Sequence, residues 1–396
     1  MLRSVEIQNF RSCLNTSFGL DTTLSALCGR NGVGKTNVLQ AIEWACSTAV
    51  KVDRARLIDV VPNLTSPGGT SLEMEIELDG GRYRYRFLGP SVLASGLRAD
   101  IVTESLEVRS NGAAKTIFQR TQRGLEVIGR SETIRIPRLT PGFAVLSSLL
   151  PDDDPAALHI EKVGRFLKGV RYYSLDDSAT EHLVTEQEYA DWKLRYQVEG
   201  DLTSSLSMRL LYMQEEDPEL FNELRGLLGA DGLDLVENIR VVTLETPDLG
   251  MDVPTPKVKR FMPVFRPSRR MGGAGGEYGN RRLSTGTLRA IQIVTSMLFD
   301  RRSLMLMEQP EDSIHPGLLE KLIDLLRTYS SDTQVLFTTH SPAVLDMLRP
   351  EEVLLATAEE GATQVRRLTS EEMERAKDFL ATEGVLSEFL EAQDDL

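Results

Sequence analysis

The residues best placed to do chemistry lie at Gly29-Arg30-Asn31-Gly32-Val33-Gly34-Lys35-Thr36. They fit the pattern GxxxxGK[ST], with an apolar strand before it and a helical pattern after it. Glycines let the backbone turn so that several N–H groups converge on phosphate oxygens. The start of the following helix adds partial positive charge at the same point. In this arrangement Lys35 reaches the β and γ phosphates of a nucleotide, and the Thr36 hydroxyl binds Mg²⁺. Asn31, Gly32 and Gly34 belong to the same cradle.

Three further groups lie near the other end of the chain. Ser303 to Met307 is an apolar strand ending in Glu308, a carboxylate at the strand end where such folds place a second Mg²⁺ ligand. Val335 to Thr339 is another apolar strand, followed by His340, which can reach a γ-phosphate. Ser341 then reads as a helix cap with Pro342 in the first helical position. Leu283-Ser284-Thr285-Gly286-Thr287 opens a helix whose Leu288, Ile291, Val294 and Leu298 share a face. A Ser/Gly helix start with free N–H groups is an anion site. Singly, these have structural equivalents: an acidic cap, a structural histidine and an ordinary N-cap.

These groups need elements to hold them. Ser4 to Phe10 alternates as a strand. Leu24 to Cys28 is a short apolar run, and Val38, Ile42, Ala45 and Ala49 recur at helical spacing. In residues 71–130, Leu72, Met74, Ile76 and Leu78 alternate with acids. After Asp79-Gly80-Gly81, Tyr83, Tyr85 and Phe87 alternate with arginines, which predicts a β-hairpin, with a second one around Asn111-Gly112. Helical patterns cover Ala156–Leu167 and Leu206–Leu228, and no heptad run is long enough for a coiled-coil arm. A Pro- and Gly-rich stretch carries Lys257, Lys259, Arg260, Arg266, Arg269 and Arg270, then Gly272, Gly273, Gly275 and Gly276. It reads as a solvated basic linker. From Leu283 onward helices and strands alternate, as in a mostly parallel sheet. The tail, Ala392 to Leu396, is acidic and expected to fray. The predicted fold class is α/β. Residues 1–135 form a first lobe with the glycine loop and an antiparallel β subdomain, and 136–250 a mainly helical insertion. Residues 251–282 are the linker, and 283–396 a second lobe.

The bulk composition sets limits. A chain of 396 residues with 41% apolar and 26% charged residues is globular and long enough for two lobes. Its net charge of −14 excludes a general nucleic-acid-coating polycation. Cys13, Cys28 and Cys46 form no CxxC pair and suit a reducing compartment. No apolar run spans a bilayer and the N-terminus reads as a strand, so a cytoplasmic protein is expected.

In order and spacing these motifs resemble the ABC ATPases of the SMC/RecF/OLD superfamily. GRNGVGKT is similar to their Walker A motif, LSTGT to the signature, LMLMEQ to Walker B and TTHS to the histidine switch. Asn9-Phe10-Arg11-Ser12 is similar to their N-terminal element. The resemblance covers both ends of the chain and only loosely residues 50–280. Pro310 to Pro316, with His315-Pro316 where others carry a leucine–aspartate pair, favours the OLD-like branch. Thr285 departs from the aspartate or glycine common in the signature. The resemblance implies a two-lobed head. ATP and Mg²⁺ would be bound by Arg11, Asn31, Gly32, Gly34, Lys35 and Thr36 of one copy and by Ser284 and Gly286 of another. Glu308 and Thr36 would hold the metal, with Gln309, His340 and Glu308 at the reacting phosphate.

Gln309 stands where the family carries a catalytic glutamate. An amide cannot take a proton from attacking water, so hydrolysis should be slow. The glutamine is either an engineered replacement that traps an ATP dimer or the residue of a naturally slow enzyme. Glu311, beyond Pro310, is a candidate substitute carboxylate. Too little chain follows His340 for an appended nuclease domain, and two of the four histidines already lie in ATPase motifs. The resemblance thus implies an ATPase-only subunit that forms a homodimer or higher homo-oligomer. It would act on a separate, nuclease-like effector in bacterial anti-phage defence, with DNA as a further possible ligand. The alternatives are a RecF-like DNA-repair ATPase and an ATP-bound scaffold that does not hydrolyse.

Overall fold

A computed structural model describes the chain except residues 52–68, 90, 94–95, 99–101, 111–112, 138–139, 152, 175–182, 200–203, 246–257, 270–274, 383 and 393–396. The turn expected at Asn111-Gly112, Lys257, Arg270 and most of the acidic tail fall outside the described residues. Contacts divide the chain into two compact units. One comprises Met1–Tyr173, Arg302–Gln309 and Leu326–Leu396, and the other Ser174–Arg301 and Pro310–Leu325.

The described residues of the first unit form two large sheets and a two-stranded one, Ser91–Leu93 with Gly96–Arg98. Leu24–Cys28 is buried throughout, as a central strand covered on both faces must be. It pairs in parallel with Gln334–Thr339 on one side and Val353–Glu359 on the other. Leu304–Glu308 and then Val170–Tyr173 extend the sheet beyond Gln334–Thr339, also in parallel. Ala362–Arg367 closes the far edge antiparallel. The second sheet is antiparallel and seven-stranded. Its order is Gly124–Val127, Ala113–Thr121, Thr103–Ser110, Gly81–Leu88, Ser71–Leu78, Leu2–Phe10, Cys13–Gly19. The helix Lys35–Val50 contributes Val38, Ile42, Trp44 and Ala45 to a core shared with inward residues of both sheets.

The first hairpin forms as its alternation requires. Leu72, Met74 and Ile76 point inward opposite Phe87, Tyr85 and Tyr83. Asp79 and Gly80 both adopt positive φ, which matches a two-residue turn to the strands' twist. The outward acids meet arginines across the strands, with Arg84 2.8 Å from Glu75 and Arg86 2.5 Å from Glu73. The strands flanking Asn111-Gly112 pair antiparallel up to Ser110 and Ala113. The capping box after Leu368 also forms, since Glu372 N donates to Thr369 Oγ1 at 3.2 Å and Thr369 N to Glu372 at 2.7 Å.

The second unit holds a three-stranded antiparallel sheet of Val184–Thr185, Lys259–Pro267 and Val236–Glu245. Two sequence expectations change here. Lys259–Pro267 lies in the stretch assigned to a linker, yet it is a strand paired along its length with Val236–Glu245. Its prolines and arginines hide the pattern, while Val264 and Phe265 supply the buried face. The helical run 206–228 is two helices, Leu206–Glu216 and Pro218–Leu228. Asp217 caps the second by accepting from Leu220 N, and Pro218 cannot continue the first. A further helix, Glu186–Glu199, has no clear apolar periodicity but sends Trp192 and Tyr196 into an aromatic cluster with Tyr212 and Phe299. Among the described residues no helix is long and apolar enough to cross a membrane.

One buried carboxyl ties the antiparallel sheet to a helix. Glu104, 3% exposed, accepts from Tyr85 Oη at 2.6 Å, Gly142 N at 2.6 Å and Phe143 N at 3.3 Å. It thereby satisfies the start of the helix Gly142–Leu149, whose own cap residue, Pro141, offers no side-chain bond. Burial pushes its carboxyl up to about 7, against the opposing pull of these bonds and of Arg120. A carboxyl raised in the folded state stabilises fully at acid pH and loses that stability as pH rises through about 7, an effect of roughly 3 kcal/mol. Wild type should therefore lose melting temperature between pH 5 and 8 more steeply than Glu104→Gln. Parallel pH profiles by calorimetry would show the linkage to be absent.

Candidate functional site

The glycine loop links the central strand Leu24–Cys28 to the helix Lys35–Val50. Two of its glycines are dictated by close approach. At Gly29 (φ 154) a Cβ would stand 2.2 Å from Ala356 O on the neighbouring strand. At Gly34 (φ 97) it would stand 2.0 Å from Thr363 Oγ1 and 2.4 Å from Ser12 Oγ. Gly32 (φ 84) and Asn31 are exposed on the loop. The Lys35 ammonium, in a residue 6% exposed, donates to Gly29 O at 2.7 Å and Arg30 O at 2.9 Å. The cation is thus held inside the curl of the loop.

A hydroxyl network braces the loop from behind. Thr363 Oγ1 donates to Val33 O at 2.8 Å and lies 2.7 Å from Ser12 Oγ, which accepts from Asn37 Nδ2 at 2.8 Å. Thr363 N also donates to Ser12 O at 2.8 Å. Arg11 follows the strand Leu2–Phe10 with φ 51, and Asn9, near the end of that strand, is also left-handed. Its guanidinium lies 5.4 Å from the Phe10 ring centroid and donates to Asn37 Oδ1 at 3.2 Å and to Gln40. That places an exposed cation beside the first turns of the loop's helix.

Parallel register explains the rest. Glu308 pairs with Thr338, and Thr339 with Cys28, so three strands end at one edge of the sheet. Glu308 there accepts hydrogen bonds from Thr36 Oγ1 and from the Tyr172 hydroxyl on the next strand. Gln309 (φ 43) is fixed by its N–H, 3.1 Å from Thr338 O and 3.2 Å from Thr338 Oγ1. Its Nε2 lies 2.8 Å from His340 Nδ1. An amide nitrogen only donates, so in this orientation Nδ1 is the acceptor. His340 lines a cleft with Gly29, Arg30, Asn31, Pro342 and Leu345, to which the helix Leu386–Glu391 adds Glu391. Ser341 holds the N-cap position of Pro342–Leu345, but its side chain makes no cap bond; its N–H instead donates to Thr339 Oγ1 at 3.1 Å.

The hydroxyl and carboxylate of Thr36 and Glu308 are hard oxygen donors already in contact, a set that suits Mg²⁺. Among the described residues no group of three or more His, Cys, Asp or Glu could hold a metal unaided.

Ser284 and Gly286 lie in the second unit. Ser284 caps Thr285–Asp300, accepting from Thr287 N at 3.2 Å, and is exposed. Gly286 is buried where a Cβ would stand 2.1 Å from Ser313 O. Arg11, Asn31, Gly32, Gly34, Lys35, Thr36, Glu308, Gln309 and His340 all belong to the first unit. Sequence reasoning missed Thr363 and Tyr172. No motif marks either, and only sheet order brings them to the loop and to Glu308.

Two family profiles match the chain. One described as "AAA ATPase domain" matches residues 1–79, around the glycine loop. One described as "AAA domain, putative AbiEii toxin, Type IV TA system" matches residues 272–346, which carry Ser284, Glu308 and His340. The chain is similar to the DNA double-strand break repair Rad50 ATPase of Methanococcus maripaludis, at 23% identity over 257 residues, 62% of this chain and 24% of that protein. It is also similar to the Rad50 ATPase of Archaeoglobus fulgidus, at 34% over 83 residues, 21% of this chain and 9% of that protein. The chain thus spans a quarter or less of these relatives. Its structure is similar to a solved SMC head bound to the C-winged helix domain of ScpA, with TM-score 0.51, 13% identity, and 94% and 99% of the two chains covered. The fold is therefore the mixed α/β fold of SMC-head ABC ATPases, with its antiparallel sheet and helices. Each end of the chain thus matches an AAA-family ATPase profile, and part of the chain is similar in sequence to Rad50 ATPases.

The brace behind the loop gives a direct test. Thr363→Val keeps the side chain's shape and removes the hydroxyl bonded to Val33 and Ser12. It should cost about 1 kcal/mol in urea denaturation and weaken ATP binding several-fold in calorimetric titration.

Proposed function

We propose that this chain is an ABC-type ATPase of the OLD-like branch that binds Mg·ATP between two copies arranged head to tail and hydrolyses it slowly. The observation that carries this reading is the meeting of Lys35 in its loop, the Thr36–Glu308 pair and the Gln309–His340 pair at one sheet edge. In this reading the loop N–H groups and Lys35 hold the β and γ phosphates, and Arg11 lies alongside the nucleotide. His340 donates from Nε2 to the γ-phosphate. Thr36 and Glu308 hold Mg²⁺, which would supply charge neutralisation at the phosphates. Ser284 and Gly286 of the second copy present a helix start to the same phosphate. Gln309 orients water without accepting its proton, and slow turnover follows.

The resulting dimer would serve as a cytoplasmic switch for a separate, nuclease-like effector in anti-phage defence. Support comes from the profile over residues 272–346, whose description names a toxin–antitoxin system. A second reading, a DNA-repair ATPase, is favoured by the Rad50 relatives. ATP-dependent binding to gapped duplex DNA, set against co-purification with an effector, separates the two.

Lys35→Ala should abolish ATP binding and ATP-driven dimerisation, read by calorimetry and light scattering. Undiminished affinity would end the assignment. Gln309→Glu should raise single-turnover hydrolysis about 100-fold or more, the usual contribution of a general base. Equal rates in both chains would show that Gln309 does not limit the reaction.

A further inference from the structure

Tyr172 has no part in the roles assigned above, although its hydroxyl donates directly to Glu308 Oε2. The other carboxylate oxygen, Oε1, accepts from Thr36. Tyr172 stands on the edge strand Val170–Tyr173, in parallel register with Leu306 two residues before Glu308. Its ring is partly buried against the core of the first unit. The phenol is therefore delivered to Glu308 from a fixed strand by a packed ring, rather than by a mobile surface side chain.

We propose that Tyr172 is a positioning residue that sets the cation selectivity of the site by holding Glu308 to one metal-facing oxygen. The inference rests on the Mg·ATP reading. The phenol proton competes with a cation for Oε2, whereas Oε1 faces Thr36, the other candidate metal ligand, and is the oxygen that a cation held by Thr36 would meet. Mg²⁺ is small and demands near-ideal octahedral geometry, so it suits single-oxygen carboxylate ligation. Ca²⁺ takes more oxygens in flexible geometry and readily accepts both oxygens of one carboxylate. The phenol thus favours the smaller ion in two ways. It fixes the rotation of the carboxylate, and it competes for the second oxygen that the larger ion would use.

The test uses the full chain and Tyr172→Phe, which keeps the ring against the core. Binding of a fluorescent ATP analogue is titrated with MgCl₂ and, separately, with CaCl₂. Nucleotide-free melting curves establish that both chains are folded. Loss of an outer partner of a metal ligand typically weakens metal affinity 10–100-fold. The half-saturating Mg²⁺ concentration should therefore rise about tenfold or more in Tyr172→Phe. The Ca²⁺ value should stay unchanged or fall, lowering the preference for Mg²⁺ over Ca²⁺ by a similar factor. Equal weakening for both ions would mean a merely structural tyrosine and would overturn the proposal, as would unchanged titrations. If the wild-type chain itself shows no cation-dependent binding of the analogue, and Lys35→Ala behaves like it, the ATP reading fails and takes this inference with it.

Discussion

The parallel placement of Leu24–Cys28 between two strands from the far end of the chain is the constraint from which the site follows. A strand buried on both faces cannot shift its register without exposing apolar side chains or stranding backbone groups. Once it is fixed, the loop at its C-terminal end is fixed as well. So are the ends of Leu304–Glu308 and Gln334–Thr339, because all three run the same way. Residues separated by 272 positions, Thr36 and Glu308, come into hydrogen-bond contact through sheet register, with no local sequence signal between them.

The loop's glycines acquire their meaning from that same sheet. Gly29 and Gly34 read in the sequence as a turn that bares backbone N–H groups. In the structure they are also the two points where other strands press against the loop, through Ala356 and Thr363. The loop is thus shaped from outside as well as by its own φ values. A change in Thr363, more than three hundred residues away in sequence, bears on it as directly as a change within the motif.

What could be read in advance was what repeats or alternates. The hairpin around Asp79-Gly80, the helix after Thr36 and the strand ends at Glu308 and His340 follow from local spacing, and each lies where local chemistry places it. The strand Lys259–Pro267 was hidden, because two prolines and several basic residues mimic a linker while its burial depends on a partner strand. Glu186–Glu199 was hidden for the opposite reason. Its anchors are large aromatics spaced for a tertiary cluster, among polar residues that blur any apolar face. Glu104 and Tyr172 were invisible because a single acid or phenol in an alternating strand carries no sign of the neighbour it will meet.

Gln309 shows how much an isosteric amide alters a site. A carboxylate at this position would be an acceptor only, and a neutral histidine facing it would have to offer its Nδ1 proton. The amide reverses that polarity. In this orientation Nε2 of Gln309 donates and Nδ1 of His340 accepts. The same contact ties Gln309 to His340, which lines the cleft with Asn31 and Arg30. In the proposed Mg·ATP reading, a site that holds a triphosphate while an amide stands where water's proton would be accepted would dwell in its bound state.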